Sequence, residues 1–132
     1  MSMFEGCTSL TTVPDFPDNT QLHYNDCASM FKGCTSLTAA PKLTSNTFSE
    51  DGYDGIYGAM FEGCTSLNSV TCLYELPEYI NSYTFYNWLY NTASTGTLKV
   101  ASSQKAKWDE LIEETKQEKY QISPTGWTII TE

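Results

Sequence analysis

Residues 30–37 read Met-Phe-Lys-Gly-Cys-Thr-Ser-Leu, and the same stretch occurs at 3–10 and 60–67 with Glu in place of Lys. The offsets between copies are 27 and 30 residues. A period between about 20 and 50 residues is typical of proteins in which each repeat is one structural unit. One unit cannot bury its apolar face alone, so neighbouring units must stack to form a common core. The sequence therefore predicts a fold built from stacked copies.

Each copy has the pattern of a short helix followed by a short strand. In the third copy, one face of a two-turn helix would carry the residues spaced i, i+3, i+4 and i+7, which are Tyr57, Met60, Phe61 and Cys64. The second copy repeats this spacing from Cys27 to Cys34. Gly33 and Gly63 suit the left-handed residue that ends a helix. Residues 67–70 then predict a short strand, and strands one period apart would form a parallel sheet.

A fourth, diverged copy precedes an aperiodic end. It keeps the helix-face spacing with Phe85, Trp88, Leu89 and Thr92. Asn91 takes the glycine position, and Asn is the next best left-handed residue. Residues 97–100 predict its strand. Ser102 or Ser103 could cap a helix that contains Trp108, and residues 127–130 predict a last strand. A stack of repeats closes its exposed core with such an end.

The composition excludes several classes of protein. The chain has 7 Lys and Arg residues against 16 Asp and Glu residues, for a net charge of -9. Binding to nucleic acid through phosphates is disfavoured by this charge, and so is adhesion to an anionic membrane. No run of about 18 apolar residues exists that would insert into a bilayer. No secretion signal is visible at the first residues.

The cysteines predict buried thiols. Cys7, Cys34 and Cys64 occupy one repeat position, where the fourth copy has Thr92. A position shared by Cys and another small residue indicates packing in the core, because a free cysteine behaves as a small hydrophobic residue. Five cysteines cannot all pair within the chain. Their spacing, with one histidine in the chain, does not resemble a zinc site.

Little in the sequence indicates a catalytic or metal-binding site. His23 is the only histidine, and a loop residue is the better interpretation of it. Residues 51–55 (Asp-Gly-Tyr-Asp-Gly) have the composition of a calcium loop without its spacing, and an acidic turn is the better interpretation. No nucleophile stands beside a base, and no phosphate-binding glycine loop occurs. The sequence thus predicts no enzyme, no cofactor and no metal.

Two surfaces compete as a binding site. The strand positions before Val13, Ala40 and Val70 are Thr12, Ala39 and Ser69, and those after them are Pro14, Pro41 and Thr71. Both columns should face out of the sheet, but these residues are small and make poor anchors. The return segments between copies combine tyrosines with carboxylates, and tyrosine is enriched at interfaces. The alternative is that these tyrosines cover the core between copies. The candidate binding residues are Tyr24, Asp26, Phe48, Asp51, Tyr53, Asp54, Tyr74, Tyr79 and Tyr83.

The chain resembles the BspA-like leucine-rich repeat family of bacterial surface proteins. The resemblance is carried by the three Met-Phe-x-Gly-Cys-Thr-Ser-Leu copies, by the residues that follow them at 11–14 and 38–41, and by Pro-Thr-Gly-Trp-Thr at 124–128. It covers most of the chain. It implies a leucine-rich-repeat fold and a context of adhesion at the cell surface, and the family has no shared catalytic residues.

Pattern and resemblance together predict an α/β fold. We expect a leucine-rich-repeat solenoid of about four coils with a short parallel sheet over residues 1–100. Residues 101–132 should form an aperiodic cap, with a helix and a strand, of the same domain. The first copy has little preceding sequence to cover it, so we expect further repeats before it or self-association through this end.

The predicted function is a non-catalytic binding module that recognises a protein or glycan partner, as a fragment or small relative of an adhesin-like surface protein. The alternative is an acidic inhibitor, phage-encoded or intracellular, that occupies a basic surface by mimicking nucleic acid. The first function predicts a location at the cell surface or outside the cell for a fragment of a larger protein. A full-length chain would be cytoplasmic. The sequence does not identify the ligand.

Overall fold

The computed structural model describes residues 3–15, 21–22, 27–43, 47–48, 57–73, 85–115 and 126–132. In chain order, the helices and strands are β1 (Gln21–Leu22), β2 (Thr47–Phe48), β3 (Ser69–Cys72), β4 (Gly96–Val100), a 3-10 helix (Ser102–Gln104), α1 (Lys105–Thr115) and β5 (Trp127–Thr131). This combination of strands and a helix makes the described part of the chain α/β, as predicted.

The strands β3, β4 and β5 form a parallel sheet in that order. Val70 pairs with Leu98, and Leu98 pairs with Ile129, so apolar residues from successive strands align across the sheet. An isolated bridge from Ala39 to Ser69 continues the sheet toward the second copy. The predicted parallel sheet and its last two strands are confirmed, whereas the strand predicted after the second copy is reduced to bridges.

The helices predicted within the copies are wrong, because each of these segments is a series of turns. Met60 donates its backbone N–H to the carbonyl of Tyr57 at 3.1 Å, which is a turn bond that spans three residues. Ser29, Ala59 and Asn87 have φ angles of 57°, 52° and 53°. A left-handed residue at the third position ends any helix before its second turn. We call residues 3–10, 27–37, 57–67 and 85–95 the first to fourth repeat turns.

The left-handed glycines are confirmed. Gly33 and Gly63 have φ angles of 77° and 78°, and Asn91 at the same position of the fourth repeat turn has a φ of 59°. Residues other than glycine and asparagine adopt this conformation at a steric cost. The sequence therefore identified the position at which each copy reverses direction, although it assigned that position to the end of a helix.

Backbone hydrogen bonds join each repeat turn to the next. The N–H of Phe31 donates to the carbonyl of Met60 at 3.0 Å, and the N–H of Phe61 donates to that of Trp88 at 2.9 Å. The rings of Phe4, Phe31 and Phe61 stack in a row, with centroids 5.5 and 5.7 Å apart. Backbone bonds and side chains therefore keep the four turns in one register.

The core lies inside this row of turns. The predicted apolar faces of the second to fourth copies point into it even though they are not helical. The buried residues are Cys27, Phe31, Cys34, Leu37, Leu43, Tyr57, Met60, Phe61, Cys64, Leu67, Val70, Cys72, Phe85, Trp88, Leu89, Leu98, Val100, Trp108 and Trp127. Met30 and Phe4 are partly buried against this cluster.

The helix α1 covers the fourth repeat turn, as predicted. Trp108 packs on Phe85 and Trp88, with ring centroids 4.9 and 6.1 Å apart. The predicted cap by Ser102 or Ser103 is wrong, because both serines lie within the 3-10 helix that precedes α1. The residue at the start of this 3-10 helix is Ala101, whose side chain makes no capping hydrogen bond.

The strand β5 closes the edge of the sheet through Trp127. Its indole N–H donates to the carbonyl of Ala93 at 2.8 Å. Trp127 pairs with Gly96, and a Cβ at Gly96 would lie 2.6 Å from the indole ring. Glycine at position 96 is therefore needed for the ring to lie flat over the start of β4.

Candidate functional site

The predicted binding residues fall almost entirely outside the described part of the chain. Tyr24, Asp26, Asp51, Tyr53, Asp54, Tyr74, Tyr79 and Tyr83 lie outside the described residues, as do His23 and the acidic turn at 51–55. Phe48 belongs to β2, where the structure describes the backbone. The described residues therefore do not test the loop site, which stays a prediction.

The backbone within two of the return segments is ordered into a parallel ladder. Gln21 pairs with Thr47, and Leu22 pairs with Phe48. These two strands lie one repeat apart in sequence. These strands were not predicted, because segments rich in Asp, Asn and Pro are typical of loops. The ladder fixes the register of two successive return segments where β1 and β2 pair.

Two exposed tyrosines lie on the fourth repeat turn. Tyr86 and Tyr90 expose 39% and 47% of their surface. Tyr90 occupies the position that holds Glu62 in the third repeat turn and Lys32 in the second. Neither tyrosine is among the candidate binding residues predicted from the sequence. Alignment of the four copies would have found Tyr90, since every other copy has a charged, outward-facing residue there.

This outward position forms a row along the edge of the stacked turns. The ammonium group of Lys32 lies 3.6 Å from a carboxylate oxygen of Glu62, and both side chains are partly exposed. The backbone N–H of Gly63 donates to the carbonyl of Tyr90 at 2.9 Å, which holds the fourth turn against the third. The row therefore presents charge of both signs, followed by an aromatic ring suited to contact a partner.

The first predicted column of the outer sheet face is made of small residues. Ala39, Ser69 and Thr128 are exposed, and Ser69 pairs with Thr97 in the neighbouring strand. Thr12 is exposed as well, so the predicted outward column of Thr12, Ala39 and Ser69 is confirmed.

The second predicted column does not face outward throughout. Pro14 is exposed and Thr71 is half-buried, but Pro41 is buried. Pro41 lies between the half-buried Ala40 and the bridge of Leu43 to Cys72, where the chain turns into the core. Among the described strand residues of this column, the long side chains are those of Lys99 and the 37%-exposed Ile130, which are register partners. The face offers few groups that could anchor a ligand.

The cysteine ladder is confirmed at two of its three predicted members. Cys34 and Cys64 are buried, free thiols. The thiol of Cys34 donates to the carbonyl of Phe4, and that of Cys64 to the carbonyl of Phe31, both at 3.0 Å. Cys7 is exposed, so its predicted burial is wrong. Burial requires a preceding repeat turn, and none is present among the described residues.

The buried thiols are chemically inert. Burial raises the pKa of the Cys64 thiol to about 12, and it raises the pKa of Cys34 above its usual value. A thiol reacts as the thiolate, so both are poor nucleophiles at neutral pH. Thr92 replaces cysteine in the fourth repeat turn, where its hydroxyl donates to the carbonyl of Leu89 in the same turn at 2.9 Å.

The described ranges hold no group of three or more His, Cys, Asp or Glu side chains arranged to bind a metal ion. In the same part of the chain, no helix has the length and apolar character needed to cross a membrane. Comparison with protein-family models, with curated proteins and with solved structures finds no match to this chain.

Proposed function

We propose that the chain is a non-catalytic binding module, a leucine-rich-repeat solenoid of about four coils like those of the BspA-like surface proteins. Its partner is a protein or a glycan, bound by the tyrosines and carboxylates of the return segments. The observation that carries this proposal is the parallel pairing of β1 with β2 in successive return segments.

Parallel strands have their carboxyl ends at the same edge of a ladder. Tyr24 and Asp26 follow β1 in sequence, and Asp51 and Tyr53 follow β2. The carboxyl ends of β1 and β2 lie at one edge, which supports a site to which both copies contribute. Aromatic residues combined with hydrogen-bonding groups are common at the centre of protein interfaces.

The stacked turns supply the rigid frame that such a site needs. Binding residues are often found on loops that a rigid scaffold positions. The inter-turn hydrogen bonds and the stacked rings of Phe4, Phe31 and Phe61 hold together the repeat turns that the return segments connect in sequence. Tyr86 and Tyr90, exposed on the fourth repeat turn, are further aromatic residues suited to contact a partner.

The test is a screen of the full chain against arrays of immobilised proteins and glycans, followed by affinity measurements on each ligand found. Tyr24→Ala, Tyr53→Ala and Tyr79→Ala should each weaken binding about tenfold or more, as expected for interface tyrosines. The matched control is Ser69→Lys on the outer face of the sheet, which should leave affinity unchanged while the fold is retained.

Unchanged affinity in all three tyrosine variants, with loss in Ser69→Lys, would move the site to the sheet. Binding confined to basic proteins, insensitive to the tyrosines and falling steeply with salt, would instead support the acidic-inhibitor alternative. Exposed charges are screened within about 8 Å at physiological ionic strength, so an electrostatic site is identified by its salt dependence.

A further inference from the structure

The hydrogen bonds that the Phe and Gly positions of the repeat turns make with the next turn run in one direction. Each of these residues donates its backbone N–H to a carbonyl of the turn that follows it in sequence. The pairs are Phe4 to Met30, Phe31 to Met60, Phe61 to Trp88, Gly6 to Lys32, Gly33 to Glu62 and Gly63 to Tyr90, with distances of 2.7–3.0 Å. At these positions each junction therefore has a donor turn and an acceptor turn, whereas the N–H of Ala93 donates in the opposite direction, to the carbonyl of Leu67.

The first repeat turn exposes an acceptor side. The carbonyls of Met3 and Glu5 correspond to those of Met30 and Lys32, which accept bonds from the preceding turn. Among the described residues, no backbone N–H donates to either Met3 or Glu5. Backbone carbonyls that accept no hydrogen bond at the edge of a ladder are a template for a further chain that brings N–H donors.

The thiols identify the same face independently. Cys34 and Cys64 each donate to the phenylalanine carbonyl of the preceding turn. Cys7 occupies the same position, and its thiol is exposed. A turn docked before the first one would place a phenylalanine carbonyl within reach of Cys7 and bury it.

The apolar residues of this face would also be covered by a further turn. One face of the Phe4 ring stacks on Phe31 at an interplanar angle of 3°, while Phe4 remains half-exposed and Met3 exposes 62% of its surface. A third phenylalanine at the same spacing would extend the row. A Cβ at Gly33 would lie 3.7 Å from Gly6, in ordinary van der Waals contact, whereas nothing lies within 4 Å of a Cβ at Gly6, so a docked turn would fill the open space there.

We propose that the face formed by Met3, Phe4, Glu5 and Cys7 is a docking surface for one further polypeptide turn of the Phe-x-Gly kind. Its occupant brings N–H donors to Met3 and Glu5, an aromatic ring to Phe4 and a carbonyl to Cys7. The first turn of a second copy does not fit, because it would set carbonyls against carbonyls. The fourth turn of a second copy is covered by Trp108.

The experiment adds such a turn and reads the exposure of Cys7. Residues 3–29 are duplicated directly before Met3, which preserves the offset of 27 residues between Phe4 and Phe31. Both added cysteines are changed to serine. Labelling of Cys7 by a thiol reagent should become at least about tenfold slower than in the original chain, because only local opening would expose it.

The matched control is the same duplication with the added copy of Phe4 changed to Asp and the added copy of Gly6 changed to Val, which removes the ring and the left-handed turn. Cys7 should then label as fast as in the original chain. Slow labelling of Cys34 and Cys64 verifies that the core is intact. Equal labelling of Cys7 in the original and duplicated chains, or equal protection by the control, would overturn the proposal.

A second measurement uses the unchanged chain. Sedimentation at increasing concentration should show no dimer in which Cys7 is protected from labelling. A dimer that protects Cys7 would overturn the proposal, because a second copy would then occupy the face despite the mismatch of acceptors. The face is separate from the return segments, so these outcomes do not depend on the proposed ligand-binding site.

Discussion

The two ends of the stacked turns differ, although Met3 and Phe4 at one end hold the positions of Trp88 and Leu89 at the other. At the fourth repeat turn, Trp88 is fully buried beneath Trp108. At the first, Phe4 is half-exposed and Met3 lies largely in solvent. The local sequence makes the same turn at both ends. The comparison shows that the burial of a repeat residue is set by the neighbouring turn and not by the residue's own copy.

The largest effect should come from opening the closed end. Trp108→Ala removes a fully buried ring that packs on Phe85 and Trp88, and should lower the free energy of unfolding by about 4 kcal/mol. Phe4→Ala at the open end should cost about 1–2 kcal/mol, because the ring is only partly buried. Urea denaturation measures both.

The indole nitrogen of Trp108 sharpens this comparison. It is buried without a hydrogen-bond partner in the described structure. An unpaired buried donor costs about 1–3 kcal/mol, so Trp108→Phe should recover most of the stability lost in Trp108→Ala. A Trp108→Phe variant as unstable as Trp108→Ala would show that this nitrogen has a partner after all.

The next effect should distinguish two glycines. A Cβ at Gly126 would overlap the carbonyl oxygen of Ser94, so Gly126→Ala must displace backbone and should cost about 3 kcal/mol. Nothing lies within 4 Å of a Cβ at Gly6, and Gly6→Ala should cost about 1 kcal/mol from its φ of 76° alone. Thermal unfolding compares them, and equal costs would contradict the close approach at Gly126.

A smaller effect should separate two cysteines of one repeat position. Cys64→Ala loses a packed thiol and its hydrogen bond to Phe31, and should cost about 1–2 kcal/mol. Cys7→Ala at the exposed position should cost nothing measurable. Native thiol labelling should modify Cys7 rapidly and Cys64 slowly, and rapid labelling of both would disprove the ladder.

The contribution of Cys64 should also depend on pH. Its pKa in the folded state is about 12, above the ordinary value of 9.0, so folding favours the protonated thiol. The stability that this thiol contributes is complete below the unfolded pKa and is lost as the pH rises toward the folded one. The difference in unfolding free energy between the original chain and Cys64→Ala should therefore shrink as the pH rises from about 9 toward about 12.

The smallest effect should be that of the exposed ion pair on the edge of the turns. Lys32 and Glu62 approach to 3.6 Å with their side chains 42% and 24% exposed. Lys32→Ala should change the free energy of unfolding by about 0.5 kcal/mol or less, since water and salt screen the attraction. A cost above about 1 kcal/mol would mean that Lys32 makes further contacts. Measurement in low and high salt separates the two cases.

The sequence predicted the position of each turn better than its geometry. The period located the stacked copies, and Gly33, Gly63 and Asn91 marked the left-handed residues. The helices failed at Ser29 and Ala59, whose side chains give no indication of a positive φ. There the register of the stack overrides local preference, because the N–H of Ser29 donates to the carbonyl of Gly58, and that of Ala59 to the carbonyl of Tyr86.

The candidate site was less predictable from sequence. The outward column of Thr12, Ala39 and Ser69 follows from the alternation of side chains along a strand, which needs no tertiary information. The burial of Pro41 depends on how the chain turns after the bridge at Ala39, and the exposure of Cys7 depends on a neighbouring turn. Neither is a property of the local sequence. Tyr90 would have been found by aligning the fourth copy with the others.

The inter-turn hydrogen bonds lie within the repeat turns, and this separates register from chain length. The distance along the chain is 27 residues between Phe4 and Phe31 but 30 between Phe31 and Phe61, and both pairs of rings stack at nearly the same spacing. Insertions and deletions in the return segments can therefore accumulate without shifting the frame, because a longer loop costs little entropy. The length of a return segment can thus change while the turns on either side of it keep their positions.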